Sequence, residues 1–255
     1  MILLLIDGDA ISHTACRTSK EHDEQGFVRD TEVVEAGVEG CLHSIFLTLE
    51  EKYEIKATHY KIFLGGSNNF RKIINPAYKQ NRKDKEYPPL MWYAKKYMID
   101  AHKAFVCNGV EADDTIAATH RYWLESEWLD IEKDLVIVCS FDKDMQTVPC
   151  VLFDTYHTRR ELRIIQVLDS ERFFFKQMLV GDAADNIFGI PKVGDKTADK
   201  ILKDKNTSFG LFRASYSAYL KAFGRLARER WKLNYTLLKL VDTGIEIPLE
   251  YEELQ

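Results

Sequence analysis

Apolar residues in this chain come in short blocks, and the blocks lead into acids. Ile2-Leu3-Leu4-Leu5-Ile6 runs straight into Asp7, the run Leu135 to Cys139 stops just before Asp142, and Phe173 to Val180 precedes Asp182. Runs of this kind predict buried elements that deliver acids to one edge. Between them the spacing changes to a helical period, with Val34, Val38, Leu42, Ile45 and Leu49 marking a helix over Glu32 to Tyr53. Ala57 to Leu64 predicts a second strand, so the chain begins strand, helix, strand. Periodicity is then lost from 65 to 90, where Gly65-Gly66-Ser67-Asn68-Asn69 forms a turn cluster and Pro76 and Pro88-Pro89 interrupt any long helix. This basic, tyrosine-bearing stretch is expected to be a mobile or partly ordered cover over a site. The pattern resumes with Leu90 to Met98, a short strand at Phe105-Val106, and a helix from Glu111 through Ile116, Ala117, His120 and Trp123. A strand at 135–139, β-like segments at 151–155 and 162–168, and helices to about Leu240 complete the expectation of an α/β chain.

The acids fall into four groups: Asp7; Glu111, Asp113 and Asp114; Asp142 and Asp144; Asp182 and Asp185. In an open α/β sheet the carboxyl ends of parallel strands form the ligand crevice, so acids distant in sequence can meet there. Converging carboxylates repel one another and call for cations, and hard divalent ions with oxygen ligands, Mg²⁺ or Mn²⁺, suit them. Asp142 and Asp144 alternate after a strand and face the same way. Asp182 and Asp185 share one face of a turn or helix. Glu111 and Asp114, three apart, share a helix face, and acids in a first turn also serve as caps, a reading with most weight at Asp114.

The formal net charge of -5 hides a strong asymmetry. Nine Lys/Arg against three acids lie between Arg71 and Lys103, and eleven against four between Lys192 and Lys232. Each segment alone could be a solvated helix face. Together they flank an acidic centre, and basic surfaces that bind phosphates beside a metal-loaded centre are what a nuclease needs. Otherwise the 255-residue composition is that of an ordinary globular protein. No run reaches the ~20 apolar residues of a membrane helix. Five cysteines without a Cys-x-x-Cys spacing argue against a disulfide framework or structural zinc and for a reducing, cytoplasmic setting.

Gly189-Ile190-Pro191-Lys192-Val193-Gly194 leads into Asp195-Lys196-Thr197-Ala198, a glycine-containing turn that exposes backbone N–H groups at a helix start. It resembles a helix–hairpin–helix, a sequence-independent grip on a DNA backbone.

Taken in order, Gly109 to Asp114, Ser140 to Met145, Leu179 to Ile187 and Ile190 to Ala198 resemble the 5′-nuclease or flap endonuclease family, including its stand-alone bacteriophage members and the 5′-nuclease domain of bacterial DNA polymerase I. Phe70-Arg71-Lys72 with Tyr78 to Lys83 resembles the basic segment beneath that family's helical arch. The resemblance runs from Asp7 to about Leu202. It implies a PIN-like (Rossmann-like) core with a mainly parallel sheet, an arch or clamp at about 67–103, and a helix–hairpin–helix; the catalytic core would be 1–186 and the C-terminal region 187–255. It further implies divalent-metal hydrolysis of DNA at 5′ ends, flaps and junctions in replication, repair or primer removal. Mg²⁺ would be the cofactor, Mn²⁺ its substitute, and K⁺ a further ion at the hairpin. Asp7, Glu111 and Asp113 would serve a first metal and Asp142, Asp144 and Asp182 a second, with Asp114 and Asp185 supporting through water. Lys79, Arg82, Asp7 and Asp144 would be catalytic. Arg71, Tyr78, Lys79, Arg82, Lys83, Val193, Gly194, Lys196 and Thr197 would contact DNA, and the protein would act as a monomer without a membrane.

Two positions depart from the family. An aspartate usual at the end of the second strand is missing, since Phe63-Leu64-Gly65-Gly66 stands there, which bears on metal affinity; Asp9 nearby reads as a turn acid in preference to an acid that compensates through water. Lys192 stands where the hairpin usually has glycine. The missing acid keeps two alternatives in view, a silent DNA-junction binder and a primer-removing ribonuclease acting on RNA/DNA hybrids. The acidic segment Ile245 to Gln255 reads as a tail or a partner contact.

Overall fold

The computed structural model describes residues 1–17, 23–24, 26–127, 129–130, 132–156 and 159–254. The first apolar block forms β1 (Ile2–Asp7), and its side chains are buried on both faces, as a central parallel strand requires. Its side-chain carboxylate then caps α1 (Gly8–Ala15), accepting from the N–H groups of Asp9 and Ala10. This eight-residue helix precedes the expected long one and leaves too short a pattern to read in sequence. The chain continues through α2 (Thr31–Tyr53), β2 (His59–Gly65), α3 (Phe70–Ile74), α4 (Met91–His102), β3 (Phe105–Cys107), α5 (Ala112–Glu125) and β4 (Leu135–Cys139). Then come β5 (Val151–Phe153), β6 (Leu162–Ile164), α6 (Val167–Val180), the two-residue strands β7 (Gly181–Asp182) and β8 (Ile187–Phe188), α7 (Asp195–Leu202), α8 (Ser208–Phe223), α9 (Ala227–Leu238) and β9 (Glu252–Glu253).

The main sheet runs in the order β3-β2-β1-β4-β5-β6, with β9 added to β2. β1, β2, β3, β4 and β5 pair in parallel, while β6 and β9 are antiparallel. The order switches direction at β1: β2 lies on one side and β4 on the other. That switch opens the crevice at the carboxyl ends of β1 and β4. Asp7 pairs with Phe63 and Ile6 with Cys139, so Asp7 and the loop carrying Asp142 leave the sheet at the same edge.

One face of the sheet is covered by α1, α2 and α4 through Ile11, Val34, Val38, Leu42, Ile45, Ala94 and Met98; α5 covers the other through Ile116 and Ala117. A further core joins α6 to α7, α8 and α9 through Phe174, Phe175, Leu211, Tyr219 and Trp231. The expected clamp over 67–103 is therefore divided. Residues 67–90 hold only α3 and a 3-10 turn at Gln80–Arg82, whereas α4 packs into the core because Ala94 and Met98 must be buried. The β-like reading of 162–168 holds only to Ile164, since Val167 already begins α6. The acidic end of the chain is not a free tail: His59 and Tyr60 pair with Glu253 and Glu252. Among the described residues no helix is long and apolar enough to cross a membrane.

Candidate metal and nucleic-acid site

Four elements bring the acids together. Asp7 ends β1, Asp113 lies in the first turn of α5, Asp142 and Asp144 start the 3-10 turn that follows β4, and Asp182 lies in β7. Ligand atoms of Asp144, Asp182 and Asp185 all lie within 4.8 Å of one another. Asp185, expected to support through water, thus stands beside Asp144 and Asp182. Asp113 is acted on by the charges of Asp142, Asp7, Glu111 and Asp144.

Burial and this crowding disfavour ionisation. Burial, then Asp9 and Asp142, push the Asp7 carboxyl up to about 7, and burial, then Asp142 and Asp182, push Asp144 up to about 7. Asp113 is raised well above the ordinary range by burial and four neighbouring acids. Such a set fits hard divalent cations by donor type, because only added positive charge lets so many buried carboxylates ionise together.

The support around the acids was invisible in the acid pattern itself. Ser140 donates to Asp7 at 3.0 Å, the Gln177 amide to Asp144 at 2.6 Å and the Lys143 ammonium to Asp182 at 2.6 Å. Asn69 donates to Glu111 at 2.8 Å. Lys143 had a signal, being enclosed between two acids; Ser140, Gln177 and Asn69 had none.

A basic strap crosses the other end of the cluster. Lys79 takes the left-handed conformation (φ 55°), and its N–H donates to the Asp185 carbonyl at 2.9 Å. Its ammonium pairs with Glu111 and stands 3.6 Å from Asp185, while Arg82 pairs with Asp185. Burial opposes the Glu111 charge, but Lys79 and Arg71 outweigh it and hold the carboxyl below its usual range. Lys83 is exposed on the same strap. Tyr78 differs from the expectation of a DNA contact: it is 3% exposed, packed in the α6–α9 core, and its hydroxyl donates to Asp185 at 2.9 Å and Glu111 at 3.1 Å. It positions two acids from beneath.

Two further expectations are corrected. Asp114 is fully buried and grips Arg71 through two bonds of 2.6 and 2.7 Å, and it also accepts from the N–H groups of Glu111 and Val241. Arg71, 1% exposed, completes its donors on the carbonyls of Leu237 and Lys239. Neither can reach a metal or a DNA strand, because α5 turns residue 114 away from the crevice that residue 113 faces. Together they tie α3, α5 and the end of α9 into one node.

Where the second-strand acid is missing, backbone crowds position 66 and the Asp9 side chain occupies the space at position 65. A Cβ on Gly66 would stand 2.6 Å from the Cys107 carbonyl oxygen, and one on Gly65 would stand 2.6 Å from Asp9 Oδ2. Asp9 does more than close its own turn: it accepts from the Gly65 N–H at 3.1 Å and pairs with Lys95 at 2.6 Å. A carboxylate from α1 therefore stands at the carboxyl end of β2.

At the hairpin, Lys192 holds the glycine-like conformation (φ 65°), so the turn is kept despite the substitution. Gly181 (φ 83°) and Gly189 meet too closely for side chains, a Cβ on either lying 2.4 Å from the other's backbone nitrogen. Gly194 caps α7, leaving Gly194, Lys196 and Thr197 exposed and Val193 half-buried at the helix start.

No family model matches the chain. It is 30% identical over 150 residues to a 5′-3′ exonuclease of Buchnera aphidicola (subsp. Acyrthosiphon pisum), covering 54% of this chain and 49% of that protein. The chain thus spans about half the length of that relative. It is 26% identical over 211 residues to flap endonuclease Xni of Shewanella pealeana, covering 78% of each. Among solved structures, the T5 D15 protein co-crystallized with metal ions superimposes with a TM-score of 0.57 at 19% identity, over 94% of this chain and 100% of that one. The motif resemblance therefore recurs in sequence and in fold: the chain is similar to proteins named 5′-3′ exonuclease and flap endonuclease, and it shares the α/β fold of the phage T5 D15 protein.

Proposed function

We propose that this protein is a divalent-metal-dependent nuclease that hydrolyses DNA phosphodiesters at 5′ ends and 5′ flaps. The observation that carries the reading is the convergence of Asp7, Asp113, Asp142, Asp144, Asp182 and Asp185 on one crevice, closed on one side by Lys79 and Arg82. Asp144, Asp182 and Asp185 would hold one Mg²⁺ or Mn²⁺, and Asp7, Asp113 and Asp142 would face another, with Glu111 beside it. Bound ions supply Lewis acidity and charge neutralisation at the phosphate.

The protein's own residues do the remainder. Ser140, Gln177 and Tyr78 fix carboxylate orientation by donating to Asp7, Asp144, and Glu111 with Asp185. Lys79 exchanges its Glu111 partner for a phosphate oxygen and stabilises the charge that builds there during displacement. Arg82 and the exposed Lys83 hold the strand beside it. The N–H groups of Gly194, Asp195 and Lys196, left over because those of Val193 and Thr197 bond the Ile190 and Gly194 carbonyls, would grip a phosphate of the duplex, where a K⁺ ion would add charge. Residues 1–186 would form the catalytic core and 187–255 the gripping region of a protein that acts as a monomer.

The test follows labelled 5′-flap substrates, one with a DNA and one with an RNA 5′ strand, in Mg²⁺, in Mn²⁺ and in EDTA. Short 5′ products that require metal, and that Asp144→Asn abolishes while binding persists, are the expected result. Binding without cleavage in either metal would replace this reading with a junction-binding protein, and preference for the RNA strand would replace its substrate.

A further inference from the structure

Outside the crevice and the hairpin, some surface cations are met by carboxylates: Arg29 by Asp23, Lys96 by Asp100, Arg121 by Glu125 and Asp242, Lys133 by Asp130 and Lys176 by Asp195 and Asp199. Others, including Lys56, Lys72, Lys203, Arg213 and Lys221, are exposed and stand singly. On α9 and the turn before it the unpaired cations form a line. Arg225, Arg228 and Lys232 are exposed, and among the described residues none has an ion-pair partner; Glu229 is the sole acid between 225 and 239. Arg228, Lys232 and Tyr235, which is 42% exposed, stand three or four residues apart and share one face of α9, with Arg225 in the 3-10 turn before the helix and Lys239 at its C-cap. Lys239 closes the stripe with its ammonium over the Phe174 ring and no carboxylate partner among the described residues. The opposite face is fixed inward: Trp231 is buried against Phe175 and Tyr219, and Asn234 bonds the Tyr219 hydroxyl at 2.8 Å and the Phe188 carbonyl at 2.9 Å. The stripe is thus held rigidly outward.

We propose that this face of α9 is a second nucleic-acid contact, a docking strip for the phosphate backbone of a duplex arm, separate from the crevice and from the hairpin. It rests on the nucleic-acid reading above and adds which further surface meets the substrate. From Arg228 to Lys239 the stripe spans about 16 Å at about 1.5 Å per residue, the rise of about five base pairs. Four like charges left without counter-charges along one line are matched by an equally regular line of phosphates, and their condensed counterions are released on contact. Backbone recognition needs no base-specific groups, and the stripe has only ammonium, guanidinium and phenol to offer.

The experiment measures binding of a plain DNA duplex, about 20 base pairs and without a flap, as a function of salt in EDTA, so that the result is independent of cleavage. Arg225→Gln, Arg228→Gln and Lys232→Gln are combined in one variant. Three lost phosphate contacts should reduce the slope of log affinity against log salt by about 2.7 and weaken binding on the order of tenfold or more at low salt. A control variant with Lys96→Gln and Arg121→Gln should leave the slope unchanged. Melting curves check folding, and Arg228→Lys with Lys232→Arg should keep wild-type affinity if charge alone acts. An unchanged slope in the triple variant, or an equal loss in the control, overturns the proposal. A nuclease reading that failed through absent cleavage would leave this binding result standing.

Discussion

Asp113 and Asp114 are neighbours in one helical turn and live in opposite electrostatic surroundings. Asp114 accepts from four N–H groups, two of the Arg71 guanidinium and the backbone ones of Glu111 and Val241, so its charge is fully satisfied. Asp113 faces four other acids. The first arrangement holds the fold together; the second holds the protein in need of a cation. A residue's place on the helix, not its chemical type, divides structural acids from candidate metal ligands.

The comparison breaks most sharply by removing each acid in turn. Asp113→Asn should lower metal-dependent cleavage by about 10³-fold or more, about 4 kcal/mol of barrier at 1.36 kcal/mol per tenfold, while leaving the metal-free melting temperature unchanged or higher. Single-turnover rates with parallel melts check both halves; a large loss of stability would show Asp113 to be structural. Asp114→Ala should instead destabilise by about 3–5 kcal/mol by stranding a buried Arg71 charge, and Arg71→Met with Asp114→Leu together should cost less than the two single changes added. Denaturant unfolding of the three variants decides it, and additivity would mean that the pair is not coupled.

A smaller effect sharpens the same contrast through pH. Asp7 and Asp144 are pushed up to about 7 in the metal-free protein, against about 3.9 for an unfolded aspartate. The folded state then binds more protons than the unfolded one between those values, so these groups lower stability as pH rises from about 4 to about 7, after which their effect is flat. The stability of wild type minus that of Asp144→Asn, measured in EDTA, should fall across this window. Added Mg²⁺ or Mn²⁺ should raise the melting temperature more at pH 8 than at pH 5, because the ligands must be ionised. A difference that grows with pH would contradict the crowding of the crevice.

Smallest is the effect at Asp9. Asp9→Asn removes the second-largest influence raising Asp7, so Asp7 should titrate lower in the metal-free protein, while affinity for Mn²⁺ should fall a few-fold as the charge at the end of β2 is lost. Carboxylate chemical shifts and a Mn²⁺ titration read the two separately. Unchanged values of both would return Asp9 to the role of a turn acid.

Much of this was legible from the chain alone. Central parallel strands are buried on both faces, so β1 and β4 are unbroken apolar blocks, and the acids that follow them are marked by where the blocks end. The α2 helix is long enough for its period to stand out, whereas α1, eight residues held by the Asp7 side chain, has too few turns to show one. Arg71 and Tyr78 read as surface groups because a basic, proline-interrupted segment predicts exposure; their burial depends on α6 and α9, more than 90 residues away in sequence.

The sequence by itself determined the α/β class, the four acid groups and their arrival at one sheet edge, since strand direction and side-chain periodicity are local properties that a short window carries. Only the tertiary structure decided which acids face one another, that Asp114 and Arg71 turn inward, that Asp9 stands where β2 offers no side chain, and that the α9 cations remain unpaired. Each of those outcomes depends on distances between groups far apart in the chain, and at such range the pattern along the sequence is silent while burial and Coulomb interaction decide.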